Sequence, residues 1–579
     1  MNTTHFHIPN KARHKAKSLI ISSGLMISAL LYSHNSLAQS YFNASPKHEV
    51  RAMWLTTIGG LDWPHTYATS QYSRKKQQEE LIAILDKLSK AGINTVLLQT
   101  RVRATTIYPS KYEPWDGCLS GVPGKSPDYD ALQFAIDECH KRGMELHAWV
   151  VTLPVGVWNG KGCADLRKRK PGLIKQIDGH GYMNPEDPRT ASYIADICEE
   201  ITRNYDIDGI HLDYIRYPET WKLKVSKERG REYINDIVKA IHHKVKSLKP
   251  WVKMSCSPIG KFNDLSRYWS HGWNAYDKVC QDAQSWLKTG LMDELYPMMY
   301  FKDNNFYPFA LDWKENDYGK IIAPGLGIYF MSPKEKDWSL TTITQEMEML
   351  RRDGMGHTYF RSKFFTDNTK GIYDFATRFD ATPALVPPMT WASNNRPLSP
   401  KSISINGEQL TWSNARATND SPTLLYNIYA SRECPVDIAD SRNLIKTRHN
   451  GTSLKIDPQY NYAVTAIDRY GNESNAIQSN SGCEGQAGTK ESLLVCDGKN
   501  VFFNLNDRNI DAGSVVICTM QGSMIEARNI QKPREGKDFS AYIGNIEDGF
   551  YQLRTIAPKG ISHKLGYFII DRKGIIRAE

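Results

Sequence analysis

The sequence has no Cys-x-x-Cys pair and no His-rich tract, so nothing in it points to a metal site. The first strand-like segment is not followed by a glycine-rich phosphate loop, which argues against a dinucleotide-binding sheet. No cofactor motif appears. The apolar stretch Leu19–Leu31 is too short for a comfortable membrane span. Extreme charge is also missing. Lys and Arg number 73 against 63 Asp and Glu, a formal charge of +10. Four of those cations and no acid fall within residues 1–38, leaving +6 for the remainder. That balance is too weak and dispersed for nucleic-acid binding, yet permits attraction to an anionic polymer.

What is present begins with an export signal. Lys11, Arg13, Lys15 and Lys17 precede Leu19–Leu31, and Ser36-Leu37-Ala38 ends in a small-x-small pattern. Cleavage is expected after Ala38, with residues 1–38 as the signal peptide. No Cys lies near that cut, which argues against a lipid anchor. The destination is the periplasm or cell envelope, and no stable membrane span is expected once the signal is removed. Export permits disulfides. Of ten Cys, Cys139, Cys198 and Cys280 lie on helical patterns and read as buried thiols, whereas Cys118 and Cys163 sit in loops and could pair.

A length of 579 residues suits two to four domains. Residues 49–382 alternate strand and helix. Strands are expected at 50–58, 95–100, 144–151, 208–213, 252–257, 291–300, 321–329 and 355–360. Helices are expected at 73–91, 128–142, 187–204, 226–248, 276–289 and 340–352, several of them stopped by glycine. Eight such units predict an α/β fold, a (β/α)₈ TIM barrel with enlarged loops. The proline-rich segment 383–402 reads as a linker. Residues 403–478 switch to alternating strands that resemble a fibronectin type III module. Residues 491–579 are again strand-rich, a second small all-β sandwich.

The segment Asp208-Gly-Ile-His-Leu-Asp-Tyr-Ile-Arg-Tyr-Pro218 reads as a buried strand delivering polar groups at its end. Side chains alternate faces, so His211 and Asp213 share one. An inward carboxylate at the C-terminal end of a barrel strand reads as catalytic. The competing reading is a structural carboxylate held by Arg216 or His211. Other strand ends carry Gln99-Thr-Arg101, His147-Ala-Trp149 and Tyr296-Pro-Met-Met-Tyr300, then Asp303. The loop from Tyr108 to Gly121 adds Glu113 and Trp115, and Trp158, Trp221, Trp269 and Trp273 lie in further loops. With 14 Trp and 30 Tyr, rings are available to stack on flat sugar faces, or to fill loop mini-cores.

Five motifs, Glu49 to Thr57, Gln99 to Arg101, Tyr108 to Gly121, His147 to Trp149 and Asp208 to Pro218, together resemble glycosyl-hydrolase-like family 10. The resemblance implies a secreted (β/α)₈ glycoside hydrolase acting on a polysaccharide, a bacterial cell-wall glycan first among them. A dietary or host polysaccharide, or a non-catalytic glycan-binding barrel, are the alternatives. The family's Gln-x-Arg-Pro is Gln99-Thr-Arg101-Val102 here, and its Gly-Asp-Ala stretch is Ala104-Thr-Thr106. Aligned with family 18 chitinases, His211 replaces an Asp and Ile215 the acid Glu, which disfavours their substrate-assisted mechanism. His211-Leu-Asp213 is closer to the α-amylase pattern, whose last Asp is the nucleophile.

Glycoside hydrolysis needs two carboxylates. Asp213 is the first. Glu113 is the expected proton donor, with desolvation beside Trp115 raising its pKa. Asp303 is the next candidate, and Glu145 is expected deeper, in a buried ion pair. Arg101, Trp115, His147, Trp149, His211 and Tyr300 are expected to bind substrate or orient the carboxylates. No metal and no cofactor is expected.

Overall fold

The computed structural model describes residues 45–266, 272–480, 494–503, 514–519, 524–530, 539–556 and 562–572. The expected signal peptide, Trp269 and Cys483 lie outside the described residues, as do residues 481–490 of the Ser/Gly-rich stretch 479–490 that separates the two strand-rich regions in the sequence.

Eight parallel strands follow in chain order: β1 (Arg51–Leu55), β2 (Thr95–Val102), β3 (Glu145–Val151), β4 (Gly209–Asp213) and β5 (Lys253–Cys256). Then come β6 (Glu294–Leu295 and Met298–Met299), β7 (Ile321–Ile322 and Gly325–Leu326) and β8 (His357–Tyr359). The ladder of β6 is interrupted around Pro297 and that of β7 around Pro324, residues that have no N–H to donate. Each strand pairs with the next, and β8 pairs with β1, so the pairings form a ring. This is a TIM-barrel-like α/β fold.

Strand alternation sorts the side chains. Trp54, Leu97, Trp149, Tyr296 and Ala323 form a buried cluster inside the ring. Met53, Leu55, Val96, Leu98 and Leu146 join the larger cluster beneath the helices. The helices are cut where their sequences direct. Helix α1 (Gln71–Lys90) opens with a reciprocal Ser70–Ser73 capping box. It ends before Gly92, whose φ is +78° and where a Cβ would lie 2.7 Å from the Asp380 carbonyl. Helix α2 (Ala131–Lys141) is capped by Asp130. Helix α3 (Pro188–Asn204) has Asp187 as its N-cap and proline in its first turn. It buries Tyr193, Ile194, Ile197, Cys198 and Ile201, each stabilising by about 1.5–3 kcal/mol for an aliphatic side chain. Helix α4 (Lys227–Leu248) and helix α5 (Leu340–Arg352) cover later strands.

Three features depart from expectation. The 276–289 helix is two short pieces, Ala275–Lys278 and Ala283–Lys288, separated at Cys280, whose φ is +57°. A lobe after β3 carries three antiparallel strands, Pro154–Val157, Ile174–Ile177 and His180–Met183, around the helix Lys161–Arg169. Cys118 and Cys163 are both free thiols, so they do not pair; Cys434 is disulfide-bonded.

Beyond the barrel, residues 403–478 form one sheet of three strands and one of four, all antiparallel. The described part of 494–572 forms a two-stranded and a four-stranded antiparallel sheet. The first of these β units closes the barrel floor. Arg448 sits where the ladder between Leu425–Ser431 and Leu444–His449 slips register, with φ +50°. Such bulges re-aim a side chain. Here the guanidinium bonds Asp208, at the foot of β4, and Glu145 of β3, at 3.0 Å. Lys253 of β5 reaches both Glu145 oxygens at 2.8 Å, and Arg469 bonds Asp208 at 3.2 Å. Among the described residues no helix is long and apolar enough to cross a membrane.

Candidate active site

The C-terminal ends of β1 to β8 open on one mouth, and Asp213 stands there at the tip of β4. One carboxylate oxygen accepts from Ser257 Oγ and from the Tyr214 N–H, both at 2.8 Å. The other accepts from Trp149 Nε1 at 3.1 Å. Three donors from β3, β4 and the end of β5 therefore fix its orientation. Burial raises the Asp213 pKa above the usual carboxylate value, a shift that the Ser257 bond, the Arg216 charge and the other donors partly offset. Tyr214, the next residue, has φ +52°, a strained setting for a non-glycine side chain. Its ring lies against the Arg216 guanidinium at 4.4 Å.

Beneath Asp213 the barrel interior is a closed polar stack. His211 Nε2 accepts from Trp54 Nε1 at 3.2 Å, so its proton resides on Nδ1, which faces Ser255 Oγ at 3.0 Å. Burial, and then the neighbouring His147, hold the His211 pKa well below the ordinary value, so the ring is neutral. His147 contacts Glu145 at 3.2 Å. Its ring lies where a Cβ on Gly209 would be, 2.6 Å away, which explains the glycine after Asp208. Burial would raise the Glu145 pKa, but Lys253 together with His147 and Arg448 brings it down to about 2. Glu145 is thus the buried ion pair expected of it. Glu294 shares this layer, accepting from Tyr296 Oη at 2.9 Å, and burial raises its pKa.

Several expected roles are corrected. Glu113 is fully enclosed, and Arg101 bonds both its oxygens, Nε at 2.8 Å and Nη2 at 2.6 Å. Tyr193 Oη donates to it as well, at 3.2 Å. With both oxygens taken by the Arg101 guanidinium and its side chain fully enclosed, Glu113 presents no face to the mouth and is not placed to act as the donor. Arg101 also bonds the Val151 and Thr152 carbonyls, tying the β2 loop to the end of β3. Arg101, His147 and His211 are each 0 % exposed, so none of them presents a surface to the mouth, and their place is beneath it. Trp115 is half-buried, its backbone bridging Thr106 and its ring packed on the barrel core, and it serves the loop rather than the mouth. Asp303 follows β6 on the rim, its side chain 76 % exposed.

Trp149 and Tyr300 do converge on Asp213. Burial, followed by the Asp213 charge, raises the Tyr300 pKa well above normal. Tyr300 begins an aromatic wall, with ring centres 5.3 Å from Phe360 and 5.7 Å from Tyr329. Sequence reasoning missed Ser257, Trp54, Tyr329 and Phe360. Ser257 and Trp54 follow the same alternation as their strand mates, so the signal was there to read. Phe360 directly follows β8, and Tyr329 lies in the short 3-10 helix Ile328–Met331 that replaces the end of the expected strand 321–329.

Among the described residues, no group of three or more His, Cys, Asp or Glu side chains could hold a metal ion. Residues 49–227 and 224–330 match the family model "Glycosyl hydrolase-like 10". The chain is 29% identical over 486 residues to "Glycosyl hydrolase YngK" of Bacillus subtilis, covering 75% of this chain and 93% of that one. It is also 29% identical over 359 residues to "Glycosyl hydrolase DigH" of Escherichia coli, covering 52% and 78%. Among solved structures, an Anoxybacillus α-amylase aligns with 88% of this chain and 98% of its own, at 11% identity and a TM-score of 0.36.

Proposed function

We propose that this chain, whose barrel matches the glycosyl hydrolase-like 10 family, is a secreted glycoside hydrolase that cleaves a bacterial cell-wall glycan of the peptidoglycan type. The observation that carries the reading is Asp213: a desolvated carboxylate on a rigid strand end, at the barrel mouth, held by three donors and walled by aromatic rings. Its donors favour the ionised form, while desolvation makes that form more basic. This suits a nucleophile or general base. Asp303, on the rim beyond Tyr300 and 3.9 Å from the Lys302 ammonium, is the remaining candidate to protonate the leaving oxygen, because Glu113 is locked. Trp149 and Tyr300 position the sugar over Asp213.

The two β units read as small sandwiches, the first fibronectin type III-like and fused to the barrel floor rather than tethered. The disulfide at Cys434 supports an oxidising compartment such as the periplasm. The test is fragment release by the purified protein from peptide-free peptidoglycan strands, intact sacculi and neutral polysaccharides. Release from the bare strands supports the reading. Release only from a neutral polysaccharide overturns the substrate, and tight binding with no release from anything overturns the enzyme.

A further inference from the structure

The loop after β4 carries a charge pair directly behind Asp213. Arg216 is buried, its side chain 2 % exposed, whereas its partner Glu219 is 46 % exposed. The Arg216 Nη2 donates to Glu219 Oε1 at 2.6 Å, and Nη1 donates to the Tyr217 carbonyl at 3.3 Å. Among the described residues its Nε has no hydrogen-bond partner. Arg101, by contrast, meets an enclosed carboxylate on both oxygens and donates to two carbonyls besides. Arg216 leaves a donor unused and is matched by one bond to a carboxylate that water screens. A buried guanidinium so incompletely neutralised is costly to keep, and its remaining charge acts on whatever ionises nearby.

The group that ionises nearby is Asp213. The guanidinium stands 4.4 Å over the ring of Tyr214, whose own N–H donates to Asp213, so the stack ties Arg216 to the strand end. The donors to Asp213 are all neutral: the Ser257 hydroxyl, the Trp149 indole and the Tyr214 amide. The other groups facing it are uncharged as well. Burial, and then the Asp213 charge, raises the Cys256 thiol, the Tyr300 phenol and the Tyr214 phenol above their ordinary values. Against this neutral surround, the Arg216 charge opposes the rise that burial imposes on Asp213. Glu219 is itself ionised, because Arg216 outweighs the effect of burial on it. Tyr182, from the last strand of the lobe after β3, closes the far side of the pair beside Glu219, Asp178 and Arg216, and is neutral too.

We propose that Arg216 is a positioning residue that holds the Asp213 carboxylate ionised for its part in the reaction, and that Glu219 limits this by drawing the guanidinium to itself. The assignment rests on the glycosidase reading of Asp213 and adds what regulates that carboxylate. A pair that only braced the loop would leave the charge state of Asp213 alone.

The test reads Asp213 through the Trp149 indole, whose Nε1–H donates to it. The whole protein, labelled with ¹⁵N-tryptophan, is titrated through the acid range by NMR without substrate. Loss of the signal in Trp149→Phe identifies the indole, and loss of its inflection in Asp213→Asn assigns the titration. Arg216→Met should move the midpoint up by about one pH unit, because a nearby opposite charge has gone. Glu219→Gln should move it down, and the double variant should fall between the two. Arg216→Lys keeps the charge and should lie nearer the parent than Arg216→Met. Thermal unfolding checks that each variant is folded. Glu219→Gln, at a half-exposed position, carries the test by itself if Arg216→Met does not fold. A midpoint that stays put in either folded variant, or moves the same way in both, overturns the proposal. The acid limb of kcat/KM on peptide-free peptidoglycan strands should shift in the same order. If no glycan is cleaved while the indole midpoints move in opposite directions, the glycosidase reading fails and the electrostatic assignment stands.

Discussion

Glu113→Gln separates a structural carboxylate from a catalytic one. The Glu113–Arg101 pair has both side chains 0 % exposed and is bidentate, and removing one charge strands the other. Breaking a buried pair from one side costs about 3–5 kcal/mol, mostly from the uncompensated partner. Arg101 keeps its bonds to the Val151 and Thr152 carbonyls, and Gln can still accept one of its donors, so the lower end of that range applies. The expected outcome is faster amide exchange across β2, the Tyr108–Gly121 loop and the end of β3, together with lower stability of the barrel. Activity should fall only as far as the folded fraction falls. Replacing both partners, Arg101→Met with Glu113→Leu, should recover most of the loss, because the stranded charge is gone. The reasoning is refuted if Glu113→Gln keeps wild-type exchange and stability but loses about 10²–10⁴ in kcat, the scale of a missing general acid.

Other outcomes follow from the same structure. Arg448→Met takes a counter-charge from Glu145 and Asp208, and should weaken both the barrel floor and its junction with residues 403–478; unchanged unfolding would contradict that junction. The Glu145 pKa is lowered to about 2, so its contribution is complete above the ordinary Glu value near 4.5 and disappears as pH falls towards 2. Acid unfolding of the floor should therefore begin below pH 4.5, and a floor stable to pH 2 would show the pairing to be irrelevant. Gly209→Ala drives a methyl into the His147 ring and should cost about 1–3 kcal/mol as overpacking; a neutral result would mean that His147 moves freely. Asp213 has a raised pKa and must be ionised to act, so the acid limb of kcat/KM should lie above the usual Asp value. Ser257→Ala removes a donor to the ionised form and should move that limb higher still.

Much of this was legible in the chain. The eight strands and the main helices lie where periodicity and caps place them, because the barrel is built from local signals repeated in order. The place of Asp213 at the barrel mouth was legible because side chains alternate along a strand and this one ends its strand. The partners of Glu113 were not. Arg101 lies twelve residues upstream, and only the antiparallel return of Thr105–Thr106 on β2 and the course of the loop bring them face to face. The role of Arg448 was invisible for the same reason on a larger scale: its carboxylates come from β3 and β4, hundreds of residues earlier, and a register slip turns it towards them. The lobe after β3 read as an enlarged loop because its strands are four residues each and too short for a periodic signal.

The most direct test of the central claim is fragment release from peptide-free peptidoglycan strands by the wild-type protein beside Asp213→Asn. Burial raises the Asp213 pKa, so ionising it opposes folding at neutral pH: the carboxyl favours the folded state below its unfolded pKa, and that contribution is lost as pH rises through its folded pKa. The neutral amide should therefore fold at least as stably at pH 7. The account predicts release by the wild type and none by the folded variant, with strand binding retained. Release by Asp213→Asn at the wild-type rate would contradict the assignment of this carboxylate and, with it, the site proposed for the barrel.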